Sequence, residues 1–131
     1  MHMAVSRFFK KDSGILSACD IASHEDKWLA WSQFIDNFRA SGAVTRQNII
    51  AREPPASSDA AFDARIAATV EALCREAKMP APPWVHAARF TLSQPYWAYK
   101  SPAAQEYLRQ TSLPEFAARN LFCGARVLSR V

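Results

Sequence analysis

Glycine is scarce and proline is clustered in this chain, which has three glycines and eight prolines among its 131 residues. Because proline ends helices and glycine favours turns, these residues divide the sequence into blocks of helical length. Apolar residues recur at helical spacing within the blocks, and no alternating pattern of strand length occurs. The sequence therefore predicts an all-α fold, a compact single-domain bundle of five or six helices.

The first long block begins at Ser23, which forms a pattern like a capping box with Asp26, and it closes at Gly42. Between these points an aromatic stripe runs at helical spacing, widened by Leu29 and Phe34. Its members are Trp28, Trp31, Ile35 and Phe38. We expect an amphipathic helix here, and four tryptophans in a chain of this size also suggest a homodimer through the Trp28/Trp31 face.

The longest helix is expected over residues 57–80, capped by Ser57 or Ser58 and ended by Lys78 and Pro80. A shorter helix is expected over residues 45–52, before a double proline.

Three further elements are expected in the last third of the chain. Ser101 and Pro102 have the pattern of an N-cap and a first helical residue. Ser112 and Glu115 repeat the capping-box pattern, and residues 125–131 suggest a final turn or two after Gly124. We take residues 1–131 as one helical domain, in which residues 1–22 form a loosely packed arm.

Residues 80–100 follow neither periodicity and contain four of the eight prolines. We expect an irregular segment rich in proline and aromatic residues, with one helical turn near residues 84–88. Its aromatic side chains could pack down as a lid or stand out as interface anchors. They are Trp84, Phe90, Tyr96, Trp97 and Tyr99, of which the last three are the expected exposed part.

Positive charge is concentrated in the last third, where residues 81–131 carry six basic side chains against Glu106 and Glu115. The six are Arg89, Lys100, Arg109, Arg119, Arg126 and Arg130. On a helix Arg126 and Arg130 would share a face and could grip phosphates or a partner's carboxylates. The alternative is that these arginines only keep the outer face of a terminal helix in water.

Composition also argues against membrane proteins, disulfide-bonded proteins and zinc proteins. No apolar run reaches the roughly 18 residues that a membrane helix needs, so we expect a soluble, cytoplasmic protein that does not enter a membrane. Cys19, Cys74 and Cys123 are widely spaced without a CxxC motif, which favours reduced and mostly buried thiols over a disulfide or zinc site. We expect no metal and no cofactor.

Residues for catalysis are few. His24 and His86 are the candidates for acid–base chemistry, and a histidine–cysteine pair assembled by folding stays open. The chain contains no phosphate loop and no HExxH motif, so we expect no enzyme. Residues 45–48 could also be the start of a recognition helix in a helix-turn-helix, but a plain helical hairpin fits the short second helix better.

Three stretches carry a resemblance: REPPASSDAAFDARIAATVEALCREAKMPAPPWV, RFTLSQPYW and SLPEFAARNLFCGARVLSRV. Over residues 34–131 the chain resembles a widespread family of small bacterial proteins without a characterised function. Those proteins share the Glu-Pro-Pro turn, the Pro-x-Trp-Val segment and the Arg-Asn-apolar-Phe run near a closing Leu-Ser-Arg. Their final helix carries consecutive arginines where this chain has Ala117 and Ala118.

Some members of that family belong to two-gene modules of toxin–antitoxin type, and the resemblance implies a protein partner encoded by the neighbouring gene. We therefore expect a non-enzymatic protein-binding module that uses residues 84–100 and the arginine-bearing end. The expected binding residues are Arg89, Tyr96, Trp97, Tyr99, Arg119, Arg126 and Arg130. The alternative is a weak nucleic-acid or regulatory DNA-binding protein that uses the basic last third.

Overall fold

The structure is a computed structural model that describes residues 15–130. Over these residues 57% of the chain is helical and only 3% is strand, which confirms the all-α prediction. The chain divides into two compact units, Met1–Pro54 and Pro55–Val131. That residues 1–131 form a single domain stays a prediction. Within the described part, no helix has both the length and the apolar character needed to cross a bilayer.

The first unit contains three helices, α1 (Ala18–Ser23), α2 (Lys27–Ala40) and α3 (Ala43–Ile50). A capping box opens α1, because the Ser17 hydroxyl accepts from the Asp20 amide and the Asp20 carboxylate accepts from the Ser17 amide. Leu16 is buried together with the inner face of α1. The expected loose arm over residues 1–22 is therefore wrong for residues 16–22, and its first 14 residues lie outside the described range.

Helix α2 begins later than the sequence predicts. Its N-cap is Asp26, whose carboxylate accepts from the Leu29 amide at 3.1 Å, whereas Ser23 ends α1. The predicted stripe is buried at Trp31, Phe34, Ile35 and Phe38. It is exposed at its start, where Trp28 and Leu29 leave about half of their surface in solvent (53% and 49%).

Arg46 of α3 closes the end of α2. Its guanidinium donates to the main-chain oxygens of Phe38 and Arg39 at 2.8 and 3.0 Å, and its Cζ lies 5.1 Å from the centre of the Phe38 ring. These carbonyls belong to the last turn of α2, where helical carbonyls lack partners within the helix. Arg46 therefore fixes the hairpin of α2 and α3, and Gly42 serves as the N-cap of α3.

The second unit is built around α4 (Ala60–Glu76), on which two 3-10 helices, the short helix α6 and strand β2 pack. Residues 62–70 of α4 are all buried. Asp59 caps the helix by accepting from the Phe62 amide at 3.0 Å, so the expected cap at Ser57 or Ser58 is wrong. Ser57 instead donates to Asp63 through its hydroxyl at 2.7 Å and its amide at 2.9 Å.

The segment after α4 is irregular, as predicted. It contains 3-10 helices at Pro83–His86 and Ala88–Phe90 and the two-residue strand β1 at Tyr96–Trp97. Helix α5 (Pro102–Thr111) follows, and the predicted Ser101 cap is confirmed because its hydroxyl accepts from the Ala104 amide.

The last elements are α6 (Pro114–Ala117) and the strand β2 (Leu121–Phe122). The predicted capping box at Ser112 is wrong: Leu113 occupies the N-cap, and the Ser112 hydroxyl accepts from the Gly124 amide at 3.0 Å. After Gly124, residues 125–128 form a turn, which fits the expected final turn but not a terminal helix.

Strands β1 and β2 pair in parallel, with Tyr96 opposite Leu121 and Trp97 opposite Phe122. Asn120 sets up the pairing. It adopts the left-handed region (φ 64°), which asparagine tolerates better than most residues, and its side-chain amide donates to the Leu92 oxygen at 2.7 Å.

Candidate protein-binding surface

Arg119 was expected at the surface, but it is a buried structural residue with 4% of its surface exposed. Its guanidinium donates to the Glu71 carboxylate and to the main-chain oxygens of Glu115 and Val85, each at 2.7 Å. Glu71 belongs to α4, Glu115 to α6 and Val85 to the first 3-10 helix, so Arg119 links these three elements of the second unit. Its assignment as a binding residue is therefore wrong.

A second ion pair lies beside Arg119, between the exposed Arg75 and the buried Glu115. Arg75 of α4 donates to both carboxylate oxygens of Glu115, a bidentate contact in which Glu115 is 8% exposed. The hydrogen bonds from Arg75 hold the pKa of Glu115 below its usual value, against the opposing effect of burial. Of the charged residues in these two networks, only Arg119 was predicted from the sequence to bind a partner.

Arg89 is also partly engaged. It lies 3.8 Å from the buried Asp63 carboxylate, and its guanidinium lies 4.0 Å from the centre of the Phe90 ring. Phe90 itself is buried, and the Trp84 ring meets it edge-on with 5.7 Å between the ring centres. The first part of the aromatic segment, residues 84–90, therefore packs down on α4 as the lid that the sequence offered as one alternative.

The second part of the aromatic segment, residues 96–99, is more exposed than the first. Tyr96 and Tyr99 leave 39% and 67% of their surfaces exposed, as expected for interface anchors. Trp97 lies between them with its ring stacked on Phe122, the ring centres being 4.5 Å apart and the planes 19° apart. The guanidinium of Arg109, from α5, lies 5.1 Å from the Trp97 ring. We call residues 96–100 with Arg109 the aromatic surface.

Arg109 was counted among the basic residues but was not predicted to take part in a site. A cation placed near an aromatic face is attracted to it, and this contact also restrains the tryptophan. The contact depends on the docking of α5 near β1, which no local pattern in the sequence indicates. Tyr107 is also exposed, at 64%, but it is two residues from Arg109 and so lies on the other side of α5.

Arg126 and Arg130 are exposed, as expected. They do not share a helical face, because the Ser129 amide donates to the Arg126 oxygen in an isolated turn. Their predicted joint grip on two phosphates therefore loses its geometric basis.

The candidate catalytic groups are held apart or engaged locally. His86 Nε2 lies 3.9 Å from Glu71 Oε2, beyond hydrogen-bonding distance, while the other oxygen of Glu71 accepts from Arg119. His24 Nδ1 accepts from the Asp26 amide at 3.0 Å, at the start of α2. Within residues 15–130, no cluster of three histidine, cysteine or acidic residues could hold a metal ion.

The three cysteines carry no disulfide. Burial raises the pKa of Cys74 to about 11, with the nearby Glu71 adding to the effect. Burial also raises the pKa of Cys19 and of Cys123, the latter although Arg65 approaches its sulfur at 3.5 Å. A thiol with a raised pKa is mostly protonated near neutral pH and is a poor nucleophile.

The hairpin of α2 and α3 lacks the features of a DNA-reading helix-turn-helix. Arg46, one of the four polar residues expected at the start of a recognition helix, is used to close α2. Gln47 and Asn48 are exposed on α3, a helix of eight residues. The plain helical hairpin is therefore the better interpretation.

Comparison of the chain with known protein families, curated proteins and solved structures found no match. The resemblance to small bacterial proteins in two-gene modules stays a prediction.

Proposed function

We propose that this protein is a non-enzymatic binding module that recognises another protein through the aromatic surface of its second unit. The observation that carries the proposal is the arrangement at Trp97, which is held against Phe122 and Arg109 while its neighbours Tyr96 and Tyr99 face solvent. Tyrosine, tryptophan and arginine are the residues most enriched at energetic centres of protein interfaces. A restrained anchor also loses little side-chain entropy on binding.

Charge supports an acidic protein partner. Residues 77–105 and 116–131 contain no aspartate or glutamate, and they supply both strands of the sheet. Lys100, Arg126 and Arg130 are exposed in these stretches. Complementary charge around an aromatic centre speeds association and selects the partner.

The proposal extends to the partner's origin. The resemblance to small bacterial proteins in two-gene modules supports a partner encoded by the neighbouring gene. Nucleic acid is a less favoured partner than the sequence suggested, because Arg119 is buried and Arg89 lies against Asp63.

Affinity capture from the cells that encode the protein tests the proposal, with the full chain as bait and quantitative mass spectrometry as the readout. The variant Tyr99→Ala removes a side chain of the aromatic surface, and Tyr107→Ala removes an equally exposed tyrosine from the other side of α5. Loss of an interface anchor costs about 2 kcal/mol or more, so we expect Tyr99→Ala to weaken the captured complex roughly 30-fold. Tyr107→Ala should leave it unchanged.

The proposal fails if both tyrosine variants capture the same proteins as the wild type. It also fails if the captured material is nucleic acid that nuclease treatment and moderate salt remove, since phosphate contacts weaken steeply with salt.

A further inference from the structure

Strand β1 is bonded on one side only. The Tyr96 amide donates to the Asn120 oxygen at 2.8 Å, and the Ala98 amide donates to the Phe122 oxygen at 3.1 Å. In a parallel pair alternate residues bond to the same neighbour, so the N–H and C=O of Trp97 point away from β2. Among residues 15–130 no hydrogen-bond partner is found for the Trp97 main chain.

The two edges of this small sheet differ. β2 lies against α4, α5 and α6, and its Leu121 is fully buried. β1 has β2 as its main neighbour, and residues 93–96 and 98–101 around Trp97 are exposed. The outer edge of β1 is therefore the side of the sheet that another strand can reach.

The sequence of the edge restricts what can pair with it. Pro95 lies two residues before Trp97, just before β1 begins, and it has no N–H to donate. Proline and lysine beside an edge strand are also the usual means by which proteins prevent long, unspecific strand pairing. Because Pro95 precedes β1 and Lys100 follows it, another strand can pair with only a short stretch of this edge, centred on Trp97.

Charge decides between possible occupants. Pairing of two copies edge to edge would bring together two surfaces whose charged side chains are Lys100 and Arg109, the latter paired with Glu106, and the net positive charge on both copies opposes association. An extended segment that carries aspartate or glutamate would instead be attracted to this positive charge. The exposed tyrosines beside the edge offer it apolar contact as well.

We propose that an extended, acidic segment of a partner protein adds to the outer edge of β1 as a third strand, with main-chain hydrogen bonds to Trp97. The inference rests on the proposed function and names its mode of recognition. In strand addition, main-chain bonds supply affinity and the flanking side chains supply specificity. Here Lys100 and the two exposed tyrosines would select the segment.

The test uses the full chain labelled with nitrogen-15 and a blocked peptide of alternating glutamate and valine as the probe. Nuclear magnetic resonance titration gives the affinity, and hydrogen exchange gives the protection of each amide. We expect the peptide to slow exchange of the Trp97 amide by about tenfold or more, since a new hydrogen bond must open before exchange occurs. A peptide of alternating lysine and valine should not bind.

Two comparisons isolate the mode of binding. N-methylation of every second amide of the acidic peptide, on the side that faces the edge, should abolish measurable binding because it removes the donors and blocks close approach. Lys100→Glu should weaken the acidic peptide by roughly tenfold, whereas Lys78→Glu, the same charge change at the exposed end of α4, should not.

The outcomes separate the two proposals. Strand addition is overturned if the peptide binds without protecting Trp97, or if N-methylation has no effect, while the aromatic surface remains a binding site. If no peptide binds but capture from cells still depends on Tyr99, strand addition alone fails. If no peptide binds and capture from cells does not depend on Tyr99, both proposals fail. Protection of Trp97 that rises with protein concentration, without peptide, would identify a second copy as the occupant.

Discussion

Arg119 shows at the scale of one residue why charge in a sequence does not locate a binding surface. Its partners Glu71 and Val85 lie 48 and 34 residues away in the chain. Nothing local distinguishes it from Arg126, which is exposed a few residues later. The exposure of Tyr99 was predicted correctly, whereas the burial of Arg119 depends on contacts that only the folded chain creates.

Replacement of Arg119 tests its structural role. Arg119→Met should lower the free energy of unfolding by about 3 kcal/mol, since it leaves the Glu71 carboxylate without its partner and two carbonyl oxygens without a donor. Urea unfolding monitored by circular dichroism measures the loss. Arg119→Lys should recover only part of it, because an ammonium lacks the planar fork that reaches several acceptors.

Arg126→Met is the matched control, because Arg126 is exposed and its side chain should contribute less than about 0.5 kcal/mol. Equal losses for the variants at Arg119 and Arg126 would contradict the structural role.

At the scale of elements, the sequence predicted most of the helices but missed α1 and both strands. Helices α4 and α5 follow from patterns within a few residues, namely an apolar stripe and a terminating residue, although the cap of α4 is Asp59 and not the predicted serine. Strands β1 and β2 have two residues each, too few for an alternating pattern to appear. Their pairing depends on the left-handed Asn120 and on its bond to Leu92, which a local pattern cannot reveal.

The ion pair between α4 and α6 makes stability depend on pH. The hydrogen bonds from Arg75 lower the pKa of Glu115 in the folded protein below its ordinary value of 4.5. The ionised carboxylate therefore stabilises the fold above that ordinary value, and this stabilisation is lost as the pH falls through the lower, folded pKa. We expect the free energy of unfolding to decrease over this acidic window.

Glu115→Gln should be less stable than the wild type at pH 7 and should show a smaller decrease on acidification, as measured by urea unfolding at a series of pH values. Glu106→Gln removes a carboxylate that is 59% exposed on α5, and it should keep the pH dependence of the wild type. Identical pH profiles for the wild type and Glu115→Gln would show that the pair does not act as described.

At the scale of the whole molecule, the stacking of Trp97 on Phe122 and the contact of Arg109 with Trp97 are both internal to the second unit, Pro55–Val131. The ion pairs of Arg75, Arg89 and Arg119 also lie within it, as does the parallel pairing of β1 and β2. The sequence predicts one domain over residues 1–131, whereas these contacts suggest that the second unit can maintain its own structure. A single domain and an independently stable second unit predict different folding behaviour for a shortened chain.

A fragment of residues 55–131 decides between them. We expect it to remain helical and to unfold cooperatively on heating, because α4 keeps the elements that bury its apolar face. Its unfolding temperature should be modest, since small domains bury a smaller share of their surface than large ones. Circular dichroism and calorimetry measure both properties, and the same fragment carrying Arg119→Met should be unfolded at 25 °C. A fragment without a cooperative transition would instead make the full chain one folding unit, as the sequence predicts.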